Sequence, residues 1–229
     1  MKNTDKDMKV VISGYGKMGH MVESVLERRG IELAMASEDV CGIDKDLAAG
    51  CVCIDFTTPE AFKSNYKFLA ANFKAVVVGT TGWNDIKDEV ISEFEKNGTP
   101  MIYASNFSIG VNAFFATVER VCEVLKGYGY EPSVTEIHHV HKLDAPSGTA
   151  KSVGSIISDV LGIAPEIESI REGEVPGTHI VEFKSECDRL NFTHEAFSRQ
   201  GFAEGAVAAA VMTEGLSGVH EFKSLILNE

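Results

Sequence analysis

Short apolar runs alternate with segments of helical spacing over the first hundred residues, and this alternation constrains the fold most strongly. The apolar runs are nearly continuous in Val, Ile, Ala and Cys, as strands buried on both faces of a sheet require. Strands joined by helices in this order predict an α/β fold with a doubly wound parallel sheet. The runs predicted as strands are Met8–Ser13, Ile31–Ser37, Cys51–Phe56, Ala75–Gly79 and Pro100–Ala104. A helix is predicted to begin at Thr58-Pro59-Glu60, with Thr58 as its cap and proline in its first position.

The pattern changes after residue 108, which divides the chain into two predicted domains. A long helix is predicted over Val111–Lys126, and a helix after Ser147 ends near Gly162. Between and after these helices strands dominate, and a last apolar helix is predicted over Ala203–Met212. We therefore predict a dinucleotide-binding domain of residues 1–107 and 203–229, and a smaller α+β domain of residues 108–202. The later strands are predicted at Ile167–Arg171, His179–Lys184 and Asp188–Ala196.

A glycine turn, Gly14-x-Gly16-x-x-Gly19, follows the first predicted strand and leads into the first predicted helix, Lys17–Arg29, which Gly30 ends. In a Rossmann-like sheet the first glycine permits the tight turn, and the second lets a pyrophosphate approach the backbone. The third glycine allows the helix to pack closely on the strand. The position of the motif favours dinucleotide binding over the alternative, a structural βα turn that binds nothing.

Two carboxylates, Glu38 and Asp39, follow the second predicted strand. An acid at this distance from the glycine turn holds the ribose hydroxyls of NAD and repels the extra phosphate of NADP. No Lys or Arg appears after this strand until Lys45. We therefore predict that NADH is preferred, with NADPH also accepted; the alternative is that both acids belong to a solvated loop.

Three histidines and a lysine fall within five positions, His138, His139, His141 and Lys142, ahead of a Pro-Ser-Gly-Thr turn and a helical pattern. A strand is predicted to carry the histidines, with His138 on one face and His139 and His141 on the other. One interpretation is a metal site at His139 and His141, but no Cys, Asp or Glu stands at a spacing typical of metal ligands. A second is that one histidine, His141, is a core or interface residue. The third is acid catalysis beside an anion pocket, because a helix N-terminus offers free backbone N–H groups. The run that follows Lys142 favours the third interpretation, with no metal.

The net charge of −13 argues against nucleic acid or an anionic membrane as a partner. Against this background Lys142, Lys151 and the three histidines form a local basic segment suited to an acidic small molecule. The five cysteines are odd in number and include no Cys-x-x-Cys pair, which is typical of reduced thiols. The polar N-terminus is not a signal peptide and no apolar run could span a bilayer, so we expect a cytoplasmic protein.

The histidine-lysine segment, Glu136-x-His-His-x-x-Lys-x-Asp-Ala-Pro-Ser-Gly-Thr-Ala150, resembles the signature of the 4-hydroxy-tetrahydrodipicolinate (dihydrodipicolinate) reductases of bacterial lysine biosynthesis. The resemblance spans nearly the whole chain, although this chain is shorter than the longer members. Further family-like segments occur in the same order: Gly14 to Gly19, Asp55 to Pro59, Val78 to Gly82, Asn106 to Asn112, and Ser198 to Ala206.

The resemblance implies that the chain reduces a cyclic dicarboxylate with NADH or NADPH, yielding tetrahydrodipicolinate and water. It implies that His138 is the general acid, and that Lys142 assists it and binds substrate. Substrate carboxylate binding falls to His139, Ser147, Gly148 and Thr149. The resemblance adds six residues to the predicted cofactor site: Gly79, Thr81, Ser105, Phe107, Arg199 and Phe202. The complete predicted cofactor site is Gly14, Gly16, Lys17, Met18, Gly19, Glu38, Gly79, Thr81, Ser105, Phe107, Arg199 and Phe202.

The family is usually a tetramer joined through the sheets of the second domain, so the resemblance implies a homotetramer and gives that domain an oligomerisation role. We expect free His138 to be mostly neutral at pH 7, because Lys142 places a like charge beside it. Two alternatives stay open on sequence alone. One is another two-domain NAD(P)-dependent reductase of a small acidic metabolite, such as an aspartate-type dehydrogenase, and the other is an NADH-sensing regulator that binds DNA.

Overall fold

The computed structural model describes residues 7–227, so the outermost residues of the predicted first domain, 1–6 and 228–229, lie outside the description. The chain forms two compact units, residues 7–108 with 202–227, and residues 109–201. Within the described range, no helix combines the length and the apolar character that crossing a membrane requires.

A parallel sheet of six strands forms the centre of the first unit, which confirms the predicted doubly wound α/β class. Its strands are β1 (Lys9–Ser13), β2 (Glu32–Ser37), β3 (Cys51–Asp55), β4 (Ala75–Val78), β5 (Met101–Tyr103) and β10 (Val219–Glu221). They lie in the order β10-β5-β4-β3-β1-β2. β2 is added on one side of β1, and β3 and the later strands are added on the other. In such sheets ligands bind beyond the carboxyl ends of the strands, at the point between β1 and β3 where the strand order changes direction.

Helices cover both faces of this sheet. On one face α1 (Lys17–Arg29), α7 (Gln200–Met212) and α8 (Phe222–Leu227) pack on side chains such as Val10 and Ile12. On the other, α2 (Lys45–Ala49), α3 (Pro59–Asn72) and α4 (Lys87–Asn97) pack on Val11 and its neighbours. Alternate strand residues thus enter two separate cores, which is why the strands read as continuous apolar runs.

The second unit is a mixed four-stranded sheet covered by two helices. Its strands are β6 (Glu131–His138), β7 (Glu166–Arg171), β8 (Thr178–Lys184) and β9 (Arg189–Glu195), in the order β7-β6-β8-β9. Helices α5 (Ile109–Leu125) and α6 (Gly148–Leu161) pack on one face of the sheet. The core between them contains Val118, Val153, Ile157, Val181 and Phe183.

Four features differ from the sequence prediction. The short helix α2, the strand β10 and the helix α8 were not predicted, because each is too short to show a periodicity. The histidine strand ends at His138, so the predicted alternation of His139 and His141 on a further strand face is wrong. Beyond His138 the backbone bonds a neighbouring turn, with the His139 and Val140 N–H groups donating to Val175 and Gly173 carbonyls.

Candidate active site

Polar side chains form a row across one end of the second unit's sheet, on the face that carries the apolar core. The strand register places Arg171 beside His138, His179 beside Glu136, and His194 beside His179. Glu136, His138 and His179 are all buried. The apolar part of this face lies under α5 and α6, so the row marks where the hydrophobic core gives way to a buried polar site.

Glu136 connects His138 and Arg171. One carboxylate oxygen contacts Nδ1 of His138, and the other accepts a hydrogen bond from Arg171 Nη2 at 2.9 Å. An ionised carboxylate can only accept, so His138 carries its proton on Nδ1 when it is neutral. The other ring nitrogen, Nε2, is left to face a ligand.

Burial, hydrogen bonds and neighbouring charges shift the pKa values of Glu136 and His138. Burial alone would raise the pKa of Glu136, but hydrogen bonds from Arg171, Ser169 and His138 outweigh burial and lower it. Burial also lowers the pKa of His138; Glu136 opposes this shift, and Lys142 and Arg171 add to it. The expected neutral state of free His138 is therefore supported, although burial and not Lys142 is the main cause.

Gly177 keeps space beside the free nitrogen of His138. A Cβ atom built on Gly177 would lie 3.0 Å from His138 Nε2 and 3.3 Å from Cδ2. Only glycine leaves this edge of the imidazole uncovered, and its φ of +154° is one that other residues rarely adopt. The local backbone thus preserves access to Nε2.

His179 occupies the centre of the polar row and contacts the start of α6. Its Nε2 lies 3.2 Å from Ser147 Oγ, and its ring centroid lies 5.1 Å from that of His138. Its Nδ1 is buried without a hydrogen-bond partner among the described residues. Burial, with His138 and His194 nearby, lowers the pKa of His179 from 6.5 to about 4. The residue is therefore a neutral imidazole at pH 7.

We expect protonation of His179 to destabilise the fold as the pH falls from about 6.5 to about 4. The unfolded chain binds the proton more tightly in this window, so the free energy of unfolding decreases with falling pH. A shift of this size corresponds to up to roughly 3 kcal/mol. Urea unfolding of the wild type and of His179→Gln at about pH 7 and pH 4.5 measures it, and the variant should lose less stability between the two values.

His141→Gln is the matched control, because His141 is exposed and should leave the pH dependence unchanged. His138 and His194 also have lowered pKa values, so His179→Gln should reduce the slope of unfolding free energy against pH without abolishing it. A slope equal to that of the wild type would show that His179 titrates normally in the folded protein.

The other predicted residues of the histidine-lysine segment follow β6 and differ in exposure. Lys142 Nζ donates to Asp144 Oδ1 at 2.7 Å, and the Lys142 side chain is 22% exposed. His139 lies half-buried with its Nδ1 unpaired among the described residues. His141 is exposed and lies 3.2 Å from Glu174, so the prediction of a core or interface residue is wrong as regards the core.

The metal interpretation finds little support at its predicted residues. The rings of His139 and His141 are 6.0 Å apart, and no third ligand accompanies them among residues 7–227. Glu136, His138 and His179 do place ligand atoms within 4.8 Å of one another. However, both Glu136 oxygens are engaged and Arg171 already supplies a positive charge there, an arrangement that suits proton transfer better than a cation.

The predicted anion pocket is the N-terminus of α6. Ser147 is the N-cap, and its Oγ accepts a hydrogen bond from the Ala150 N–H at 3.2 Å. In the described part of the chain no acceptor is bonded to the N–H groups of Gly148 and Thr149. Two backbone donors at the positive end of a helix therefore point outward, beside the buried polar row.

The glycine turn of the first unit is closely packed at two of its three glycines. A Cβ on Gly14 would meet the Phe56 carbonyl oxygen at 2.5 Å, and one on Gly19 would meet the Gly14 carbonyl oxygen at 2.5 Å. Gly16 is exposed and has nothing within 4 Å of such a Cβ. The turn is thus tight at its two ends and open at its middle glycine, where a pyrophosphate would approach.

Glu38 reaches this turn from the end of β2. Its carboxylate accepts a hydrogen bond from the Tyr15 backbone N–H at 2.8 Å, and the side chain is exposed. Asp39 instead lies beside Gly42 and does not contact the turn. Of the two predicted acids, Glu38 is therefore the one that contacts the glycine turn.

The other predicted cofactor residues differ in exposure. Lys17, Thr81, Ser105 and Arg199 are exposed, and Met18, Gly79 and Phe202 are half-buried. Phe107 is buried, with its ring centroid 5.0 Å from that of Phe222, so its side chain belongs to the core and only its backbone could contact a ligand. Gly79 lies against the Phe56 ring, where a Cβ would overlap at 2.1 Å.

Sequence reasoning missed Arg171, Gly177, His179 and His194 as site residues. Glu136 could have been singled out, because it lies two positions before His138 and shares its strand face. The others come from different strands and carry no local signal. They join the site only through the register of β7, β8 and β9.

Comparisons with known proteins identify the family of the chain. Family models described as "Dihydrodipicolinate reductase, N-terminus" and "Dihydrodipicolinate reductase, C-terminus" match residues 8–107 and 110–226. A 4-hydroxy-tetrahydrodipicolinate reductase of Christiangramia forsetii is 36% identical over 96% of this chain and 98% of its own length. One from Ralstonia nicotianae is 34% identical over 96% and 99%.

A solved structure gives the same fold. The dipicolinate-bound dihydrodipicolinate reductase from Paenisporosarcina sp. TG-14 superimposes with a TM-score of 0.80. It is 20% identical and covers 95% of this chain and 99% of that one. At this identity the likeness supports the two-sheet architecture alone.

Proposed function

The chain belongs to the dihydrodipicolinate reductase family, and from this premise we propose how its residues carry out the reaction. It is an NAD(P)H-dependent oxidoreductase that reduces 4-hydroxy-tetrahydrodipicolinate in the diaminopimelate route of lysine biosynthesis. One hydride and one proton enter the ring, and one water leaves. Family membership sets aside both alternatives, the aspartate-type dehydrogenase and the DNA-binding regulator.

Two carboxylates of the substrate are bound by the basic end of the second unit. Lys142 and His139 supply side-chain donors, and the N–H groups of Gly148 and Thr149 supply backbone donors. Ser147 caps the helix and orients these amides. Helix N-termini favour anions by roughly 0.3–1 kcal/mol even at exposed positions. The dipicolinate bound to the Paenisporosarcina enzyme is a dicarboxylate of the same class.

His138 is the general acid of this proposal, and the contact of its Nδ1 with buried Glu136 is the observation that carries it. Nε2 is thereby directed away from Glu136 to the side that Gly177 leaves open. In the free protein burial keeps the pKa of His138 low. A bound dianion would raise that pKa, so substrate binding would favour the protonated form of His138, with the proton taken from solvent.

When NAD(P)H is bound, its nicotinamide supplies the hydride. Lys142 and the α6 amides hold the carboxylates fixed, and His138 delivers its proton where negative charge develops on the ring. A placed general acid is worth roughly 10²–10⁴-fold in rate. The first unit supports the dinucleotide role proposed for it through Gly14, Gly16, Gly19 and Glu38.

We propose further that NADH is the preferred cofactor. The carboxylate of Glu38 already bonds the Tyr15 N–H of the glycine turn, so it is positioned to accept from ribose hydroxyls and to repel a 2′-phosphate. A cytoplasmic homotetramer joined through the sheet of the second unit is also part of this proposal. Its support is the resemblance of the sequence to the family.

Substrate prepared from aspartate semialdehyde and pyruvate tests the function and the cofactor preference together. We expect oxidation of both cofactors, with a lower KM for NADH than for NADPH. Glu38→Gln should raise the KM for NADH about tenfold, because a hydrogen bond to a charged group is worth roughly 1.5–3 kcal/mol.

Asp39→Asn is the control for Glu38→Gln, since Asp39 does not contact the turn, and its KM values should match the wild type. A clear preference of the wild type for NADPH would reject the role of Glu38. Failure to oxidise either cofactor would contradict the assigned reaction.

A further inference from the structure

Arg171 lies at the end of β7 and binds two parts of the site at once. Its guanidinium donates to Glu136 Oε1 at 2.9 Å, and to the carbonyl oxygens of Asp144 at 2.6 Å and Lys142 at 3.3 Å. A fourth bond, to its neighbour Ile170 at 2.8 Å, fixes the side chain against its own strand. The planar fork of arginine can serve these separate acceptors, whereas a lysine ammonium could not hold all of them in this geometry.

Glu136 is completely buried, and both of its oxygens are occupied by functional partners. A buried carboxylate persists only when it is paired and hydrogen-bonded, so Arg171 makes its negative charge sustainable. That charge then acts on His138, the remaining partner. A carboxylate on Nδ1 of a catalytic histidine holds one tautomer and stabilises the imidazolium.

We propose that Glu136 and Arg171 are positioning residues, through which one buried ion pair sets the tautomer of His138 and anchors the segment that carries Lys142. The proposal rests on the roles given above to His138 and Lys142. Neither residue touches the substrate. Glu136 acts through His138, and Arg171 acts through Glu136 and through the carbonyl groups of Lys142 and Asp144.

The charged and titratable groups facing His138 come from every neighbouring element. Glu136 lies on the same strand, Arg171 on β7, and Lys142 and Asp144 on the segment that follows β6. His179 lies on β8, with His194 of β9 behind it, and burial lowers the pKa of both. Glu136 is thus the one anion in direct contact with the imidazole among the described residues, so its removal should dominate any change.

Glu136→Gln makes the sharpest prediction. The amide has a single acceptor oxygen, which Arg171 would take, so its NH₂ group would point at His138 Nδ1. The imidazole would then carry its proton on Nε2, and the imidazolium would lose its anion. We expect kcat to fall at least about tenfold. The alkaline limb of the pH profile of kcat reports the pKa of the general acid in the substrate complex. Loss of the anion lowers the pKa of His138, so this limb should move to lower pH.

Substitutions of Arg171 should separate its two functions. Arg171→Met leaves Glu136 with His138 as its cationic partner, so the alkaline limb should move to higher pH, opposite to Glu136→Gln. Arg171→Lys keeps the charge but loses the carbonyl contacts, so it should leave the limb near its wild-type position and raise the substrate KM several-fold. A merely structural pair would not produce shifts of opposite sign.

The controls are exposed residues of the same types in the same sheet. Glu131 begins β6 and Arg189 begins β9, and neither side chain is near His138. Glu131→Gln and Arg189→Met should leave kcat, KM and the pH profile unchanged.

The deciding experiment is a pH titration of ¹³C,¹⁵N-histidine-labelled protein by NMR, without cofactor or substrate, for the wild type, Glu136→Gln and Arg171→Met. We expect the Nδ1–H tautomer in the wild type, the Nε2–H tautomer in Glu136→Gln, and shifts of the His138 titration in opposite directions. The same tautomer and titration in all three proteins would overturn the proposal. If Glu136→Gln fails to fold, the shift in Arg171→Met decides the question alone.

Turnover separates this proposal from the function on which it rests. If the NMR shifts occur but the wild type does not reduce the substrate, the reaction assignment fails and the ion pair keeps its effect on His138. If the wild type turns over and the kcat limbs of the variants coincide, the positioning role fails and the reaction stands.

Discussion

Replacement of His138 by alanine is expected to lower kcat by about 100-fold or more. The imidazole contacts buried Glu136 through Nδ1 and keeps Nε2 for a ligand, so its removal takes away the proposed proton donor. NADH affinity should change little, because the glycine turn belongs to the other compact unit. Steady-state turnover with freshly prepared substrate measures the first effect, and quenching of NADH fluorescence measures the second.

His141→Ala is the matched control for this substitution. His141 is a histidine of the same segment, but its side chain is 72% exposed and its partner Glu174 is exposed as well. We expect its kcat within about twofold of the wild type, since surface substitutions rarely matter. Full turnover in His138→Ala would mean that another group protonates the substrate, and His179 or Lys142 would then be examined first.

Gly14→Ala is expected to destabilise the first unit by about 2–5 kcal/mol and to abolish measurable NADH binding. The φ angle of Gly14 is +87°, which costs an L-residue roughly 1–2 kcal/mol. The new Cβ would also lie 2.5 Å from the Phe56 carbonyl oxygen, and forced overpacking costs typically 1–3 kcal/mol. Because backbone atoms must move, the turn and the cofactor site should shift together. Urea unfolding followed by circular dichroism measures the stability.

Gly30→Ala separates the two contributions. Gly30 ends α1 with a φ of +67°, but a Cβ there has nothing within 4 Å. It should cost only the conformational part, about 1–2 kcal/mol, and leave NADH binding intact. Equal losses in the two variants would show that the contact between Gly14 and Phe56 contributes no additional strain.

Much of the first unit could be predicted from local pattern. The bounds of α1 were predicted residue for residue, because apolar spacing marks its face and Gly30 ends it in the left-handed conformation. Thr58 caps α3 and Pro59 is its first residue, as the sequence indicated. By contrast, β10 adds a sixth strand of three residues next to β5, and nothing in so short a segment distinguishes a strand from a loop.

The residues of the candidate site that are close together in sequence were predictable, and those brought in by neighbouring strands were not. His138, Lys142 and Ser147–Thr149 are close in sequence, and their residue types alone suggested an acid beside an anion pocket. The extension of the histidine strand past His138 was wrong, because the backbone bonds of His139 and Val140 go to the turn at residues 173–175. A strand's end is fixed by its partners, which the sequence of the strand does not contain.

Neighbouring residues were enough to predict most elements of the first unit, the glycine turn and the family signature. These features depend on periodicity, capping and backbone freedom. Three-dimensional packing was needed to show that Arg171 pairs with Glu136, that His179 lies beside Ser147, and that Gly177 lies next to His138 Nε2. These contacts are set by the register of β7, β6 and β8, and register follows from how whole strands pack against the helices above them.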